Sequence, residues 1–295
     1  MVAASRRVWI VRNAWLEWST FDVQFHRLIE EAATVGIAAS VTSSDWVAAH
    51  LDSLAQDELP DVALAYDKDV LVLSLLESRG VRVLNPVDAI RVCDDKAATY
   101  LALRALGIAQ PRSVIVPLRF RPLDASEWGA SHTLAAAEEL GYPLVVKPTR
   151  SSWGKGILRV DSRDELLAAL VAAEDRDVLI QAWHPGGSDD YRLFVVGRRV
   201  VAAMQRHAPV GQLAANVSAG GRAEAFTPTA EQARLAVAAA RGLGLDVAGI
   251  DLLIDGDRAV VLEVNSNAQF VGLEEATGCN VAAEIVAQVV SIMGW

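Results

Sequence analysis

The chain has 295 residues, 52% hydrophobic and 22% charged, enough for two compact units or three small ones sharing interfaces. Its formal charge of −10, with acids and bases interspersed, would repel a phosphate backbone and argues against nucleic-acid binding. No apolar run reaches the ~18 residues of a membrane span, and the start, MVAASRRVWIV, lacks the long apolar region of a signal peptide, so a soluble cytoplasmic protein without membrane association is expected.

The first predicted element is a strand, RVWIVR, followed by a helix over STFDVQFHRLIEEAATVG. Ser19 or Thr20 caps that helix, Phe21, Phe25, Leu28, Ile29 and Ala32 form its apolar stripe, and Gly36 closes it. IAASVT and VALAY read as strands, DKDVLVLSLLESRG as a helix and VRVLNP as a further strand. Strands alternating with helices predict a parallel, doubly wound α/β unit over residues 1–90.

DDKAATYLALRALG is a capped helix ending at Gly107. The stretch LRFRPLDASEWGASH is longer than most connections and reads as an insertion or mobile loop. YPLVVKP is a strand, TRSSWGKG a glycine-bearing loop, ILRV a strand and DSRDELLAALVAA a helix with Ser162 and Glu165 at capping-box spacing. Residues 91–177 thus form a small α+β unit.

Residues 178–295 open with the strand DVLIQAW. YRLFVVGRRVVAAMQRH is a hairpin turning at Gly197, TPTAEQARLAVAAARGLG a helix capped by Thr229 and Gln232, and NVAAEIVAQVVSIM a last helix. Cys93 and Cys279 read as buried free thiols, and the five histidines have no metal-ligand spacing.

AGIDLLIDGDRAVVLEVNSN is a hairpin with a turn at Asp255-Gly256-Asp257. A three-residue loop, 256–258, sets Asp251 opposite Glu263, and alternation puts Asn265 on the same face. A two-residue loop sets Asp251 opposite Leu262 instead. Opposed carboxylates repel unless a cation lies between them, and Mg²⁺ suits such a site because it completes its shell with waters and phosphates. A polar hairpin end facing solvent fits the same residues. Lys147, leaving a core strand beside the SSWGKG loop, suits phosphate neutralisation, and glycines there let backbone N–H groups approach phosphate oxygens. A plain flexible turn has the same composition. After DVLIQAW, strand-end backbone groups and Trp183 suit an adenine edge, while a simple strand and turn fit equally.

Seven stretches in order resemble the ATP-grasp ligases, and within them the RimK-like class, which attach amino acids to a carboxylate. They are NP…DDK, PLVVKP…SSWGKGI, LIQAW…DYRLFVVGRRVVAAMQR, AAN…AGG, LDVAGIDLL, LEVNSN and GLEEATGCNVA, spanning about residues 85–290. The resemblance implies an ATP-grasp fold, α/β and α+β. An N-terminal pre-ATP-grasp domain (1–90) would precede a central lobe (91–177) and a C-terminal lobe with a metal site (178–295). It implies ATP and Mg²⁺ or Mn²⁺, usually two ions, as cofactors, an amino acid and a carboxylate acceptor as partners, and a homo-oligomer, dimer or tetramer.

Residue by residue, it implies that Lys96 and Lys147 bind nucleotide and that Ser151, Ser152, Gly154 and Gly156 belong to a phosphate-covering loop. Gln181, Ala182 and Trp183 would contact adenine, Asp190 would lie near ribose, and Asn216 matches the end of the family's R-S-N. Asp251, Glu263 and Asn265 match metal ligands. Arg206 matches an arginine near the transferred phosphate, so that Arg206, Lys147 and Asn265 are the catalytic candidates. Three departures stand out: Ala214 replaces an arginine, Ala182 replaces a glutamate, and SNAQF replaces S-P-G after the metal asparagine. They point away from a ribosomal-protein tail and toward a peptide, a carrier-protein tail or a small natural-product acid. The expected activity is ATP-dependent carboxylate–amine ligation through an acyl-phosphate. The alternative is a non-catalytic ATP-binding regulatory protein of the same fold. An NAD-binding enzyme is set aside, because VRNAWLEWS after the first strand lacks G-x-G-x-x-G.

Overall fold

The structure, a computed structural model, describes residues 6–16, 19–185, 189–208 and 222–295, the side chains of Ser19 and Thr20 excepted. The expected cap of the first helix therefore lies outside the described residues. The N-terminal unit runs β1 (Arg6–Arg12), α1 (Ser19–Thr34), β2 (Ile37–Ser43), α2 (Ser44–His50), β3 (Val62–Tyr66), α3 (Val70–Ser78) and β4 (Arg82–Leu84). Helix α2, not anticipated from the sequence, begins where Ser43 Oγ accepts the Trp46 N–H. The sheet is parallel, in the order β2-β1-β3-β4. The chain leaves β1 toward β2 on one side and reaches β3 on the other, so the topology reverses between β1 and β3.

Helices α4 (Val87–Asp94) and α5 (Lys96–Ala105) follow, α5 capped by Asp95 through two N–H groups. Next come β5 (Ser113–Ile115), α6 (Ala125–Gly129), α7 (His132–Glu138), β6 (Leu144–Pro148), β7 (Leu158–Val160), α8 (Arg163–Ala172) and β8 (Val178–Ala182). These strands form an antiparallel sheet in the order β5-β8-β6-β7. Two expectations are corrected here. The boundary placed after residue 177 cuts this sheet, because β8 pairs with both β5 and β6. The stretch read as an insertion or mobile loop contains α6: Asp124 and Glu127 make a reciprocal capping box, and Trp128, only 2% exposed, anchors the helix in the core.

The C-terminal lobe contains β9 (Asp190–Val196), β10 (Arg199–His207), β11 (Arg222–Ala225), α9 (Ala230–Gly242), β12 (Val247–Asp255), β13 (Arg258–Asn265), α10 (Val271–Thr277) and α11 (Val281–Met293). Its antiparallel sheet has the order β11-β10-β9-β12-β13. One face packs on α9 and on Ala89, Cys93 and Leu103 of α4 and α5; Cys93 is thus a buried thiol as expected, whereas Cys279, between α10 and α11, is exposed, against the expectation. Helix α5, expected in the central lobe, thus packs on the C-terminal sheet. The other face merges with α1 and the N-terminal sheet: Phe25, Leu28 and Ile10 share a core with Phe194, Phe270 and Ile285. The central lobe has its own core, drawn only from residues between Val114 and Ile180. Among the described residues no single helix is long and apolar enough to cross a membrane.

Candidate active site

Four neighbouring strands of the C-terminal sheet supply the charged residues. Arg206 on β10 pairs with Asp190 on β9, Arg192 on β9 with Asp251 on β12, and Asp251 with Glu263 on β13, with Asn265 opposite Gly249. The opposition of Asp251 and Glu263 is as expected, but its cause is corrected. The hairpin loop has two residues, since Asp255 pairs with Arg258 and Ile254 with Ala259. A β-bulge at Leu262 adds the missing residue and restores Asp251 to Glu263. Leu262 and Glu263 consequently both line the same cleft, which strict alternation forbids.

Asp251 is not repelled by Glu263, because two guanidinium groups hold it. Arg192 grips it through Nε and Nη2, both at 2.7 Å, and Arg206 Nη2 lies 2.9 Å away. Burial pushes the Asp251 carboxyl up, but Arg192 and Arg206 outweigh it and hold it below the usual range. Arg206 also donates from Nε to Asp190 at 2.6 Å. Burial raises Asp190 to about 6, against the pull of Arg206. Arg206 is itself held charged: burial opposes the charge, and the two carboxylates prevail. Arg206 and Asp190 are both nearly buried, and Arg206 is paired with Asp190 and Asp251 rather than standing as a free cation.

The lysines meet this sheet from the other side. Lys147, 5% exposed at the end of β6, donates to Gln181 Oε1 at 3.0 Å. Burial lowers its pKa to about 8; Glu263 opposes the shift and Lys96 adds to it. Lys96 Nζ donates to Ser151 O at 2.7 Å and stands 3.5 Å from Glu263 Oε1. In the loop after β6, Trp153 and Gly154 both have positive φ, 59° and 73°. Gly156 also has a positive φ, 75°, and a Cβ there would lie 2.9 Å from Pro148 Cγ, so the glycine in addition lets the loop fold back on the strand. The N–H groups of Ala182 and Trp183 are already used by Arg112 O and Pro143 O, at 2.8 and 3.1 Å, and are not free to read an adenine edge.

A cleft of about 690 Å³ opens between the lobes. Lys96, Lys147, Ser151, Ser152 and Gly154 line it, as do Gln181, Ala182, Trp183 and Asp190. Arg206, Asp251, Glu263 and Asn265 complete the expected set, while Gly156 is not among the lining residues. Asn216 and Ala214 lie outside the described residues. Among the described residues, no three His, Cys, Asp or Glu side chains stand together as a self-sufficient metal site. The donor set nevertheless fits Mg²⁺, which binds through one or two carboxylates plus water and phosphate oxygens. Among the described residues, Glu263 has only the long Lys96 contact, Asn265 directs Nδ2 to Asp251 and Gly249 O and leaves its Oδ1 open, and Asp251 Oδ1 accepts only Arg192 Nε and retains a lone pair.

Sequence reasoning missed Arg192, although alternation along DYR puts it on the face of Asp190. It also missed Asn13, Asp67 and Lys68, which with Trp15 reach the cleft from the N-terminal unit; their positions after β1 and β3 were the available signal.

The model of the RimK-like ATP-grasp domain matches residues 100–289. A probable alpha-L-glutamate ligase from Legionella pneumophila is 33% identical over 218 residues, covering 73% of this chain and 69% of that protein. A protein of the same description from Parasynechococcus marenigrum is 30% identical over 222 residues, 74% of this chain but 46% of that protein, so the match spans less than half of it. A D-alanine–D-alanine ligase from Bacillus anthracis complexed with ATP shares the fold at TM-score 0.73 and 16% identity, with 97% of each chain covered. The chain belongs to the RimK-like ATP-grasp family.

Proposed function

We propose that this chain is an ATP-dependent carboxylate–amine ligase, joining an amino acid to a peptide, a carrier-protein tail or a small acid. The observation that carries the reading is the meeting at Lys96. Its ammonium touches Ser151 of the glycine loop at 2.7 Å and faces Glu263 at 3.5 Å. One cation thus joins the nucleotide side of the cleft to the metal side.

A carboxylate is a poor electrophile and must be activated. Its oxygen attacks the γ-phosphorus of ATP, the bond to the β–γ bridging oxygen breaks, and ADP leaves an acyl-phosphate. The amine nitrogen then attacks the carbonyl carbon, phosphate leaves and an amide forms with loss of a proton. Lys96 and Lys147 offset phosphate charge, and the loop from Ser151 to Gly154 excludes water. Trp183 and Gln181 wall the nucleotide base. Asp190 keeps one oxygen for ribose while Arg206 holds the other. Arg192 and Arg206 fix the Asp251 carboxylate, so its remaining lone pair has a set direction. Glu263, Asn265 and Asp251 would hold the divalent ion, which supplies charge neutralisation at the β- and γ-phosphates.

The test is ADP and phosphate release against a panel of acids and amines, with mass spectrometry of the product. An amide of the supplied pair is expected. ADP formation with none of them, in a protein that still binds nucleotide, would leave the regulatory alternative standing.

A further inference from the structure

The cleft extends beyond the nucleotide side into a crevice that the N-terminal sheet creates. Open parallel sheets bind ligands at the carboxyl ends of strands where the topology reverses. That point lies between β1 and β3, and the segments leaving these strands carry Asn13 to Leu16 and Asp67 to Lys68. All but Ala14 line the cleft.

The two segments are braced against each other. Asn13 Nδ2 donates to both Asp67 oxygens, at 3.1 and 3.3 Å, and its Oδ1 accepts the Trp15 N–H at 2.9 Å. Asp67 Oδ1 accepts the N–H groups of Lys68 and Asp69. Asp67 is 5% exposed and its Oδ1 accepts three hydrogen bonds, so it fixes where Asn13, and through it Trp15, and Lys68 stand. Trp15 is 82% exposed at the mouth. Leu16, Phe21 and Tyr66 line the same end.

Lys68 is the one cation from the N-terminal unit among the described lining residues. It contacts Asp94 at 3.0 Å and Ser152 Oγ at 3.5 Å, leaving one of its three donors. Contact with Ser152 puts it beside the loop that covers the transferred phosphate. Gln269 lines the same cleft between Ala268 and Phe270, which share a core with Phe21 and Tyr66, and its Nε2 is buried without a hydrogen-bond partner among the described residues. Glu275, from α10, is exposed, lines the cleft and has no ion-pair partner among the described residues.

Resting on the ligase reading above, we propose that this crevice holds the acid to be activated, and that the acid is an α-amino acid with an apolar or aromatic side chain. Lys68 and Gln269 take the carboxylate, Glu275 takes the ammonium, and Trp15, Leu16, Phe21 and Tyr66 receive the side chain. Glutamate is disfavoured. Its second carboxylate would meet Glu275 and an apolar wall, with Lys68 already occupied, and an unpaired buried charge is costly.

Hydroxylamine tests the acid without knowledge of the amine, because its nitrogen displaces phosphate from the acyl-phosphate and leaves a hydroxamate. With ATP and Mg²⁺, L-phenylalanine, L-tryptophan or L-leucine should give hydroxamate ~10-fold or more faster than L-glutamate at limiting concentration. Lys68→Met and Glu275→Gln should each raise KM for the amino acid about tenfold, the worth of one charged hydrogen bond, while KM for ATP stays within a factor of about two. Trp15→Ala should weaken the preference for tryptophan over alanine. Glutamate trapped as fast as the apolar acids overturns the proposal, as does a Lys68→Met effect confined to ATP. No hydroxamate from any acid, in a protein that binds Mg²⁺ and a non-hydrolysable ATP analogue, overturns the crevice assignment. Failure to bind that analogue at all sinks the ligase reading itself.

Discussion

Of the three oxygen-bearing side chains on β12 and β13, Glu263 has the most spare capacity. Its only ion-pair partner among the described residues is Lys96 at 3.5 Å, and its side chain is 36% exposed. Removing it should therefore spare the fold and damage the chemistry. Glu263→Ala is expected to lower ADP formation by ~10²-fold or more, as for loss of an electrostatic stabiliser, with little change in the denaturation midpoint; wild-type turnover would refute its role. Lys147 gives a different signature. Burial has lowered its pKa to about 8, so between pH 8 and the ordinary lysine range the unfolded chain binds a proton that the folded chain lacks. The lysine's contribution to stability therefore increases as pH rises through that window. Polyphosphate favours the ammonium and raises the pKa. Nucleotide binding above pH 8 should take up protons, and affinity should fall as pH rises. Calorimetry in buffers of different ionisation enthalpy reads that uptake, and Lys147→Met should abolish it.

At the scale of elements, the site depends on how closely β12 and the turn after β13 approach each other. A Cβ at Gly249 would sit 2.6 Å from Ala268 Cβ and 3.4 Å from Arg192 Nε. Gly249→Ala must displace either the turn that follows Asn265 or the guanidinium that grips Asp251. A loss of about 1–3 kcal/mol is expected, with weaker Mg²⁺ dependence of activity, both measurable by denaturation and metal titration. Most elements were legible because their signals are local: apolar stripes, the Asp95 and Thr229 caps, the turn at Gly197. The Leu262 bulge was not, since an unpaired residue inside a strand leaves no trace in composition. The expected three-residue loop reached the right opposition of Asp251 and Glu263 by the wrong route. Helix α6 was hidden in a polar stretch because one buried tryptophan, rather than a stripe, anchors it. Lys96, Lys147 and Glu263 were legible through motif order. Arg192 was overlooked because its partner, Asp251, lies 59 positions away in sequence.

At the scale of the molecule, Asn85 ties the units together. Its amide donates to Val247 O and Ser266 O, both at 2.7 Å, and accepts from Asp246 N and Val247 N, both at 2.9 Å. Every hydrogen-bonding position of a 2% exposed side chain is filled. Asn85→Ala leaves four backbone groups short of a partner and should cost about 3 kcal/mol or more. Asn85→Asp, equal in size but without the donor, should be destabilised as well; unchanged denaturation curves for both would contradict the role. The same junction is sealed by the core that α1 shares with Phe194, Phe270 and Ile285, while the central lobe keeps a core of its own. The crevice after β1 and β3 and the acids of β12 and β13 are therefore mounted on one anvil, a single shared core, while the hammer, the central lobe that carries Lys147 and the glycine loop, stands on a core of its own.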